Sequence, residues 1–338
     1  MIFSNTLNIG KKIINDYSPT YIVAEAGINH NGDLNIAIEM IEIAAKCGVD
    51  AIKFQSFRTQ ELFSELFSKD IFDYVKTFQI TEKQHVKLKT KVEKLGLDFL
   101  STPSGPNSLR ILKNLKVKAI KIASPDFNDI ELLSLSAKTK IPLIVSTGMS
   151  TFSEIVTTVE TLKNENATFC LLHCNSSYPS PIKDANLNTI PYFKKVFDVP
   201  IGYSDHTLGL VACLTAVSMG AKIIEKHFTL DKNMDGPDQK LSSDPKEIKE
   251  LVSKIRTIEK LQGHTRSNVT NSEQKFRKLM RKSLAVNKDV KAGTKITKNM
   301  LMSIRPGTGI PPTQINQIIG MTLKKDIKKD TLLSNQFF

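Results

Sequence analysis

Short apolar, β-branched segments alternate with longer segments of helical periodicity along this sequence, and the alternation repeats eight times. The predicted strands are YIVAE (21–25), AIKFQ (51–55), DFLST (98–102), AIKIA (119–123), PLIVST (142–147), TFCLLHC (168–174), IGYS (201–204) and KIIEKHF (222–228). Eight β/α units within about 250 residues are typical of a closed (β/α)8 barrel, whereas a doubly wound sheet rarely needs so many. The sequence therefore predicts an α/β chain built on a TIM barrel.

The segments between the strands carry helix-end signals. Two amphipathic stretches run up to Gly48 and Gly96, and Gly is the usual residue just past the end of a helix. Another helix is expected after Asp244-Pro245, because Asp caps helices and Pro favours their first turn. Between the second strand and Thr81 lies a segment, 56–80, that is too long for an ordinary βα loop. We interpret it as a candidate lid.

The character of the sequence changes after Leu261. Residues 262–280 are polar and rich in Asn, Ser and Thr, which predicts a linker. In 281–338 short strand-like pieces are separated by Gly and Pro, so a small β-rich domain is expected. The predicted boundaries are therefore 1–261 for the barrel, 262–280 for the linker and 281–338 for the second domain.

The net charge of +13 is concentrated near the C-terminus, where residues 275–338 hold fourteen Lys and Arg against three Asp. Aromatic residues do not interleave these charges, so a solvated charged face is favoured, and a module that binds polyanions is the alternative. No apolar run approaches the ~18 residues of a membrane span, and the first residues lack a signal-peptide core. We expect a cytoplasmic protein with neither nucleic-acid nor membrane partners.

The four cysteines are few for the length and form no CxxC pair. They indicate neither a disulfide framework nor a zinc ribbon. Cys170 and Cys174 flank an apolar run, and the expected role for both is that of a small buried hydrophobe.

Polar and ionisable side chains stand at the end of every predicted strand, where TIM barrels carry their chemistry. They are Glu25, Lys53, Gln55, Ser101, Thr102, Lys121, Ser124, Ser146, Thr147, His173, Ser204, Asp205, His206 and His227. A lysine inside an apolar strand is costly unless an anion balances it. Lys53 and Lys121, together with several hydroxyls, therefore indicate a phosphate or carboxylate ligand. The alternative is that each lysine pairs with a barrel carboxylate such as Glu25.

Two histidines end the seventh and eighth predicted strands, which are neighbours in a barrel. His206 and His227 can therefore share one divalent cation with oxygen ligands or waters. The ligand types alone do not separate Mn2+, Mg2+ and Zn2+.

Nine motifs resemble, in order and spacing, those of the sialic acid synthase family, which condenses phosphoenolpyruvate with an N-acyl-hexosamine. They are EAGINHNGD, IKFQSF, STP, KIAS, VSTGMS, HCNSSYPSP, GYSDHTLG, EKHFTLDK and GPDQKLS. The segment from Lys282 is similar to that family's C-terminal antifreeze-like (SAF) domain, a β-clip fold, and RPGTG resembles its substrate-capping arginine motif.

The resemblance implies a role for each matching residue. Phosphoenolpyruvate would be held by Lys53, Thr102, Lys121, Ser124, Ser146 and Ser204. The metal, Mn2+ or Mg2+, would lie on His206 and His227 and polarise the aldehyde of the open-chain sugar. The sugar would contact Glu25, Gln55, Tyr178 and Asp238, with Glu25 as proton shuttle or sugar anchor. Arg305 would reach into the partner subunit's barrel, which implies a domain-swapped homodimer.

The implied reaction is that of an N-acetylneuraminate synthase, which joins phosphoenolpyruvate, N-acetylmannosamine and water and releases phosphate with C–O cleavage. The alternative acceptor is 2,4-diacetamido-2,4,6-trideoxymannose, which would give legionaminic acid. A lyase or aldolase that forms a Schiff base on Lys121 is an alternative of another mechanism. A carbohydrate- or polyanion-binding module without catalysis is the non-enzymatic alternative.

Overall fold

A computed structural model describes residues 5–263 and 267–338, and the chain divides into two compact units, 1–263 and 264–338. Of the predicted linker, residues 264–266 lie outside the described residues. Over the part of the chain that the structure describes, no helix is long and apolar enough to cross a lipid bilayer.

The first unit opens with an antiparallel hairpin of strands β1 (Leu7–Ile9) and β2 (Lys12–Ile14), which the sequence did not predict. Parallel strands then form a closed barrel in which the last strand pairs with the first. They are β3 (Tyr21–Gly27), β4 (Ala51–Ser56), β5 (Asp98–Pro103), β6 (Ile120–Ile122), β7 (Leu143–Ser146), β8 (Phe169–Cys174), β9 (Ile201–Asp205) and β10 (Ile223–His227). The predicted TIM barrel is confirmed.

Helices surround the barrel. They are α1 (Leu34–Cys47), α2 (Thr59–Leu62), α3 (Lys69–Lys76), α4 (Glu82–Lys94), α5 (Pro106–Leu115), α6 (Ile130–Lys138), α7 (Phe152–Asn164), α8 (Thr189–Val196), α9 (Val211–Ser218) and α10 (Pro245–Gln262). Their ends follow the sequence signals: Gly48 follows α1 with a φ of 81°, and the Asp244 side chain caps α10 by accepting from Glu247 N.

Apolar side chains form two layers in this unit. The larger cluster packs strand residues such as Ile52 and Phe54 against helix residues such as Met40 and Leu88. A second cluster joins hairpin residues with the first inward-facing side chains of the strands, which are Leu7, Ile9, Ile14, Tyr21, Val23, Ala51, Leu100, Ala119, Ile144, Cys170, Leu172 and Ile223. The barrel interior is thus filled with apolar side chains near the amino ends of the strands, and the polar residues that point into it lie toward the carboxyl ends.

The predicted lid, residues 56–80, contains the short helices α2 and α3. Its two ends are joined because the side-chain oxygen of Gln79 accepts from the backbone N and the hydroxyl of Thr59, both at 3.1 Å. Glu61 accepts from Asn107 N at 2.7 Å and from Ser108 N at 3.2 Å, at the start of α5. These contacts attach the segment to the barrel near the carboxyl ends of the strands.

The second unit begins with helix α11 (Asn271–Met280), inside the segment predicted as a linker. Thr270 and Glu273 form a reciprocal capping box, a local signal that explains why this polar stretch is helical. Strands β11 (Ser283–Val286) and β12 (Leu301–Ile304) pair antiparallel, and a short helix, α12 (Ile315–Ile318), follows. A small apolar core holds the unit together, with residues Leu284, Val286, Val290, Ile296, Ile310, Ile318, Leu323, Ile327 and Leu333.

Candidate active site

A cavity of about 240 Å3 opens at the carboxyl ends of the barrel strands. It collects every barrel residue that the family resemblance implicated, namely Glu25, Lys53, Gln55, Thr102, Lys121, Ser124, Ser146, Tyr178, Ser204, His206, His227 and Asp238. Arg305 belongs to the second unit, where it is exposed and its Nε donates to the Met280 carbonyl at 2.8 Å.

Lys53, on β4, lies at the centre of a buried charge cluster. Its Nζ is 2.7 Å from Glu25 Oε2 and 3.7 Å from Glu225 Oε2, and it donates to the Thr102 hydroxyl at 3.3 Å. Lys121 Nζ is 3.9 Å from the other Glu225 oxygen. Two ammonium groups and two carboxylates therefore meet in the wall of the cavity, largely shielded from solvent.

The two carboxyl groups of this cluster differ in their protonation. Burial raises the pKa of Glu25 to about 7, against the pull of the Lys53 ammonium. Burial would also raise the pKa of Glu225, but the ammonium groups of Lys121 and Lys53 hold it at about 2. Glu225 is therefore ionised at neutral pH, while Glu25 is divided between its protonated and ionised forms.

Hydroxyl groups and one close backbone approach complete the cationic side of the cavity. Lys121 Nζ donates to Ser146 Oγ at 2.6 Å, and Gly148 N donates to Ser124 Oγ at 3.0 Å. A Cβ on Gly148 would lie 2.3 Å from Ser176 Oγ and 2.7 Å from Ser124 Oγ, so only glycine fits there. The Ser146 hydroxyl thus lies beside a cation, and the Ser124 hydroxyl lines the same cavity, as an anion site requires.

The two candidate metal ligands are adjacent on the opposite wall. The His206 and His227 ring centroids are 5.3 Å apart, and the Tyr178 ring lies 4.2 Å from that of His206. His206 Nδ1 donates to the Asn175 carbonyl at 2.7 Å, which leaves its Nε2 lone pair available. Burial and the positive charges of His206 and Lys53 keep the pKa of His227 well below its ordinary value, so its imidazole is neutral.

These residues fit a divalent cation. His227 Nδ1 is buried and has no hydrogen-bond partner, and Asp238 Oδ2 lies 3.8 Å from it. Two imidazoles with a nearby carboxylate suit Mn2+, Mg2+ or Zn2+. Within residues 5–263 and 267–338, no group of three or more His, Cys, Asp or Glu is arranged to hold a metal ion. A cation on the two imidazoles would therefore need oxygen ligands from substrate or water.

Several strand-end residues of the sequence prediction face away from the cavity. Ser101 donates to the Phe54 carbonyl, Thr147 donates to the Leu172 carbonyl, and His173 contacts the Ala185 carbonyl. Asp205 binds Lys226 and also lies outside the cavity. The expectation that these four side chains point into the site was wrong, because successive strand residues alternate between the barrel interior and the helix layer.

Sequence reasoning missed two acidic residues of the cavity. Glu225 lies in the middle of KIIEKHF, and a charged side chain inside an apolar strand was the signal that had singled out Lys53. Asp126 follows β6, and burial together with the Asp129 charge raises its pKa to about 6. Only folding shows that it faces the cavity.

All four cysteines are buried and free of disulfides. Cys170 lies in the apolar cluster inside the barrel, as expected. Cys174 lines the cavity, and its Sγ is 3.8 Å from His206 Nδ1, so it is more than a small apolar residue.

Comparison with known proteins fits this arrangement. Residues 40–267 match the NeuB family, and residues 281–338 match the SAF domain. The chain belongs to the NeuB family. It is thus an enzyme of the sialic-acid-type synthase class, whose members transfer a group derived from phosphoenolpyruvate and use a hexosamine-type sugar.

Three relatives cover most of this NeuB chain. An uncharacterized protein of Methanocaldococcus jannaschii is 42% identical over 97% of this chain and 97% of its own. The N,N'-diacetyllegionaminic acid synthase of Legionella pneumophila is 38% identical over 93% of each chain. The N-acetylneuraminic acid synthetase from Leptospira borgpetersenii, known from a crystal structure, has 40% sequence identity to this chain. The two structures match with a TM-score of 0.77 over 81% of this chain and 95% of that one.

Proposed function

We propose that this enzyme condenses phosphoenolpyruvate with N-acetylmannosamine and water to give N-acetylneuraminate and phosphate. The observation that carries the proposal is the pairing, in one cavity, of two buried ammonium groups with two adjacent imidazoles. The first pair suits a substrate with phosphate and carboxylate groups, and the second suits a cation facing a sugar carbonyl.

The charge balance of the buried Lys53 cluster supports an anionic substrate. Within the buried cluster around Lys53, the ammonium groups of Lys53 and Lys121 outnumber the ionised carboxylate of Glu225 when Glu25 is protonated. The excess positive charge is buried, so it attracts an anion more strongly than the same charge would in water. Thr102, Ser124, Ser146 and Ser204 supply hydroxyl donors around it.

His206 and His227 are the residues that would hold a divalent cation, Mn2+ first and Mg2+ second. When bound there, such a cation supplies Lewis acidity toward an aldehyde oxygen. The chain's own contribution is to hold both imidazoles in place. His206 is oriented by its hydrogen bond to the Asn175 carbonyl, while burial encloses His227 and keeps its imidazole neutral.

The reaction proposed here forms one C–C bond, between the methylene carbon of phosphoenolpyruvate and the sugar aldehyde carbon. Water adds to the former enol carbon, and the C–O bond to phosphate breaks. The water loses two protons in all: one leaves with the phosphate as the former enol carbon becomes a carbonyl, and the other balances the proton that the sugar oxygen gains. Glu25 can hold that proton at its carboxyl oxygen, because its pKa of about 7 lies near the working pH. Lys53 and Lys121 keep the two anionic groups beside the reacting carbon.

A second acceptor, 2,4-diacetamido-2,4,6-trideoxymannose, is favoured by one specific observation. The Legionella relative named as an N,N'-diacetyllegionaminic acid synthase matches this chain nearly end to end. The Leptospira structure, named as an N-acetylneuraminic acid synthetase, supports the first acceptor at a similar identity. The test must therefore compare the two sugars directly.

We further propose that the enzyme acts as a domain-swapped homodimer in which Arg305 contacts the sugar bound to the partner's barrel. The planar guanidinium suits the N-acyl carbonyl and hydroxyls of such a sugar. Pro306 and Gly307 follow it, and their stiffness and small size favour close approach to another surface.

The deciding experiment measures phosphate release from phosphoenolpyruvate with Mn2+ and each sugar in turn. Phosphoenolpyruvate carrying 18O in its bridging C–O–P oxygen should deliver the label to phosphate. Absence of phosphate release with both sugars would contradict the synthase proposal. The matched test of the Schiff-base alternative is borohydride trapping with pyruvate, and a covalent adduct on Lys121 would favour a lyase.

A further inference from the structure

The two strands that carry the candidate metal ligands are joined on both of their faces. In the barrel, β9 and β10 are neighbours, with Ser204 opposite Glu225 and Asp205 opposite Lys226. On the inner face, Ser204 Oγ donates to Glu225 Oε1 at 2.8 Å. On the outer face, Lys226 Nζ lies 2.7 Å from Asp205 Oδ2. His206 follows Asp205 directly after the end of β9, and His227 follows Lys226 as the last residue of β10.

The outer pair is buried to an unusual degree. The exposed fractions of the Lys226 and Asp205 side chains are 1% and 0%. Removing two charges from water is expensive, and replacing such a pair with apolar residues is often neutral or even stabilising. Stability is therefore a weak explanation for this ion pair, which raises the question of whether it fixes the two strands.

Further contacts make Asp205 the centre of a network behind the imidazoles. Its Oδ1 accepts from the Tyr203 hydroxyl at 3.1 Å and from Thr207 N at 2.9 Å. Its Oδ2 accepts from Cys213 Sγ on α9 at 3.1 Å. Lys226 also donates to the Thr207 carbonyl. The backbone on both sides of His206 is thus tied to the residue that precedes His227.

We propose that Asp205 and Lys226 are positioning residues that fix the separation of His206 and His227, and thereby set the affinity of the site for a divalent cation. The inference rests on the proposed function, which puts the cation on those two imidazoles. Neither residue touches substrate, since both lie outside the cavity. Residues that orient metal ligands typically change metal affinity about 10–100-fold when they are replaced.

The test uses the full-length, metal-free enzyme and the double variant Asp205→Asn/Lys226→Met. This variant removes both charges at once, and the new amide oxygen can still accept from Thr207 N and Tyr203. Mn2+ binding is titrated by the EPR signal of free Mn2+, phosphoenolpyruvate binding is measured without metal, and the melting temperature is recorded. We expect Mn2+ to bind about 10–100-fold more weakly, with phosphoenolpyruvate affinity within about two-fold of wild type.

Leu162→Ala, a truncation of a buried residue on α7, is the control for lost stability. It should leave Mn2+ affinity unchanged although it lowers the melting temperature. Tyr203→Phe is a milder variant that removes one donor to Asp205, keeps the ion pair and is expected to weaken Mn2+ binding less than the double variant does. It decides the question if the double variant does not fold.

Mn2+ affinity equal to wild type in the folded variants would overturn the positioning role and leave the proposed function intact. Failure of the wild-type enzyme itself to bind Mn2+ would instead contradict the metal placement, and the inference would be overturned with it.

Discussion

Lys53 Nζ lies 2.7 Å from a carboxylate oxygen of Glu25, and both side chains are almost fully buried below the cavity. The same ammonium lies 3.7 Å from Glu225, so one cation is shared between two carboxylates of different pKa. An arriving anion competes with both for Lys53. Substrate binding and the protonation of Glu25 are therefore linked, because an anion that takes the ammonium away leaves the ionised form of Glu25 less stabilised.

The raised pKa of Glu25 predicts how stability depends on pH. Between about pH 4.5 and 7 the folded protein holds a proton on Glu25 that the unfolded chain has released, so the free energy of unfolding falls as pH rises. Glu25→Gln removes this titration. In the metal-free enzyme, the melting temperature of wild type should fall relative to that of Glu25→Gln as pH is raised from 5 to about 7. Parallel melting curves across this range would show that Glu25 titrates normally.

Lys53→Ala and Lys121→Ala should each lower kcat/KM for phosphoenolpyruvate at least about 100-fold, because a charge-assisted contact to an anion is lost in a buried site. Steady-state phosphate release with saturating sugar measures the effect. Lys12→Ala is the control, since Lys12 pairs with Asp50 at the amino ends of the strands and outside the cavity. A near wild-type value for either cavity variant would assign that lysine to a structural ion pair.

Metal removal tests the imidazole pair. A site with two protein imidazoles and no carboxylate cage should release its cation to a chelator, so EDTA should abolish phosphate release and Mn2+ or Mg2+ should restore it. His206→Ala and His227→Ala should not recover at the same Mn2+ concentration. Undiminished turnover in chelator-treated buffer would contradict a metal at this position.

Glu61 should hold the lid segment against the barrel, since its carboxylate accepts from Asn107 N, Ser108 N and Ser108 Oγ. Glu61→Ala is expected to speed cleavage by thermolysin near Leu66 and Phe67, which are exposed, by about ten-fold or less. Glu65→Ala is a matched control on the same segment, because its pair with Lys69 is exposed. Equal cleavage rates in the two variants would show that the contacts of Glu61 do not hold the segment.

Mixed dimers test the proposed role of Arg305. If Arg305 completes the partner's site, a mixture of His227→Ala and Arg305→Ala chains contains one intact site per mixed dimer, and random pairing should restore about a quarter of wild-type activity. A mixture of His227→Ala and Lys53→Ala is the control, since every site there carries a damaged barrel. Verified mixed dimers without recovery would mean that each chain closes its own site.

The barrel could be predicted because each of its strands is an apolar segment bounded by turn residues, and the eight predicted strands agree with the observed ones to within two residues. The hairpin of β1 and β2 was missed because each strand has only three residues. Its stability comes from contact with side chains inside the barrel, such as Ala119 and Ile144. No local pattern reports such a contact.

The sequence predicts the type of candidate site, and it predicts less well which residues line it and which way they point. Lys53 and Lys121 were found because charge inside an apolar strand is locally unusual, and the same rule would have found Glu225. Whether the Asp205 and His173 side chains point into the barrel or toward the helices depends on which residues of each strand face inward. That alternation is fixed only when the barrel closes. Asp126 follows a strand of only three residues, so its proximity to the cavity becomes visible only in the folded chain.

Closure of the barrel by β3 and β10 has a consequence for synthesis on the ribosome. Glu25 comes from the first barrel strand and His227 from the last, and the two residues are paired in register. During translation about 200 residues are synthesised after β3, at roughly 5–20 residues per second, before its second neighbour, β10, becomes available. An N-terminal fragment that stops short of β10 has an open edge on β3 and lacks His227, one of the two candidate metal ligands. Nascent chains of this enzyme should therefore be vulnerable to edge-strand aggregation until β10 pairs with β3. The same step completes the cavity.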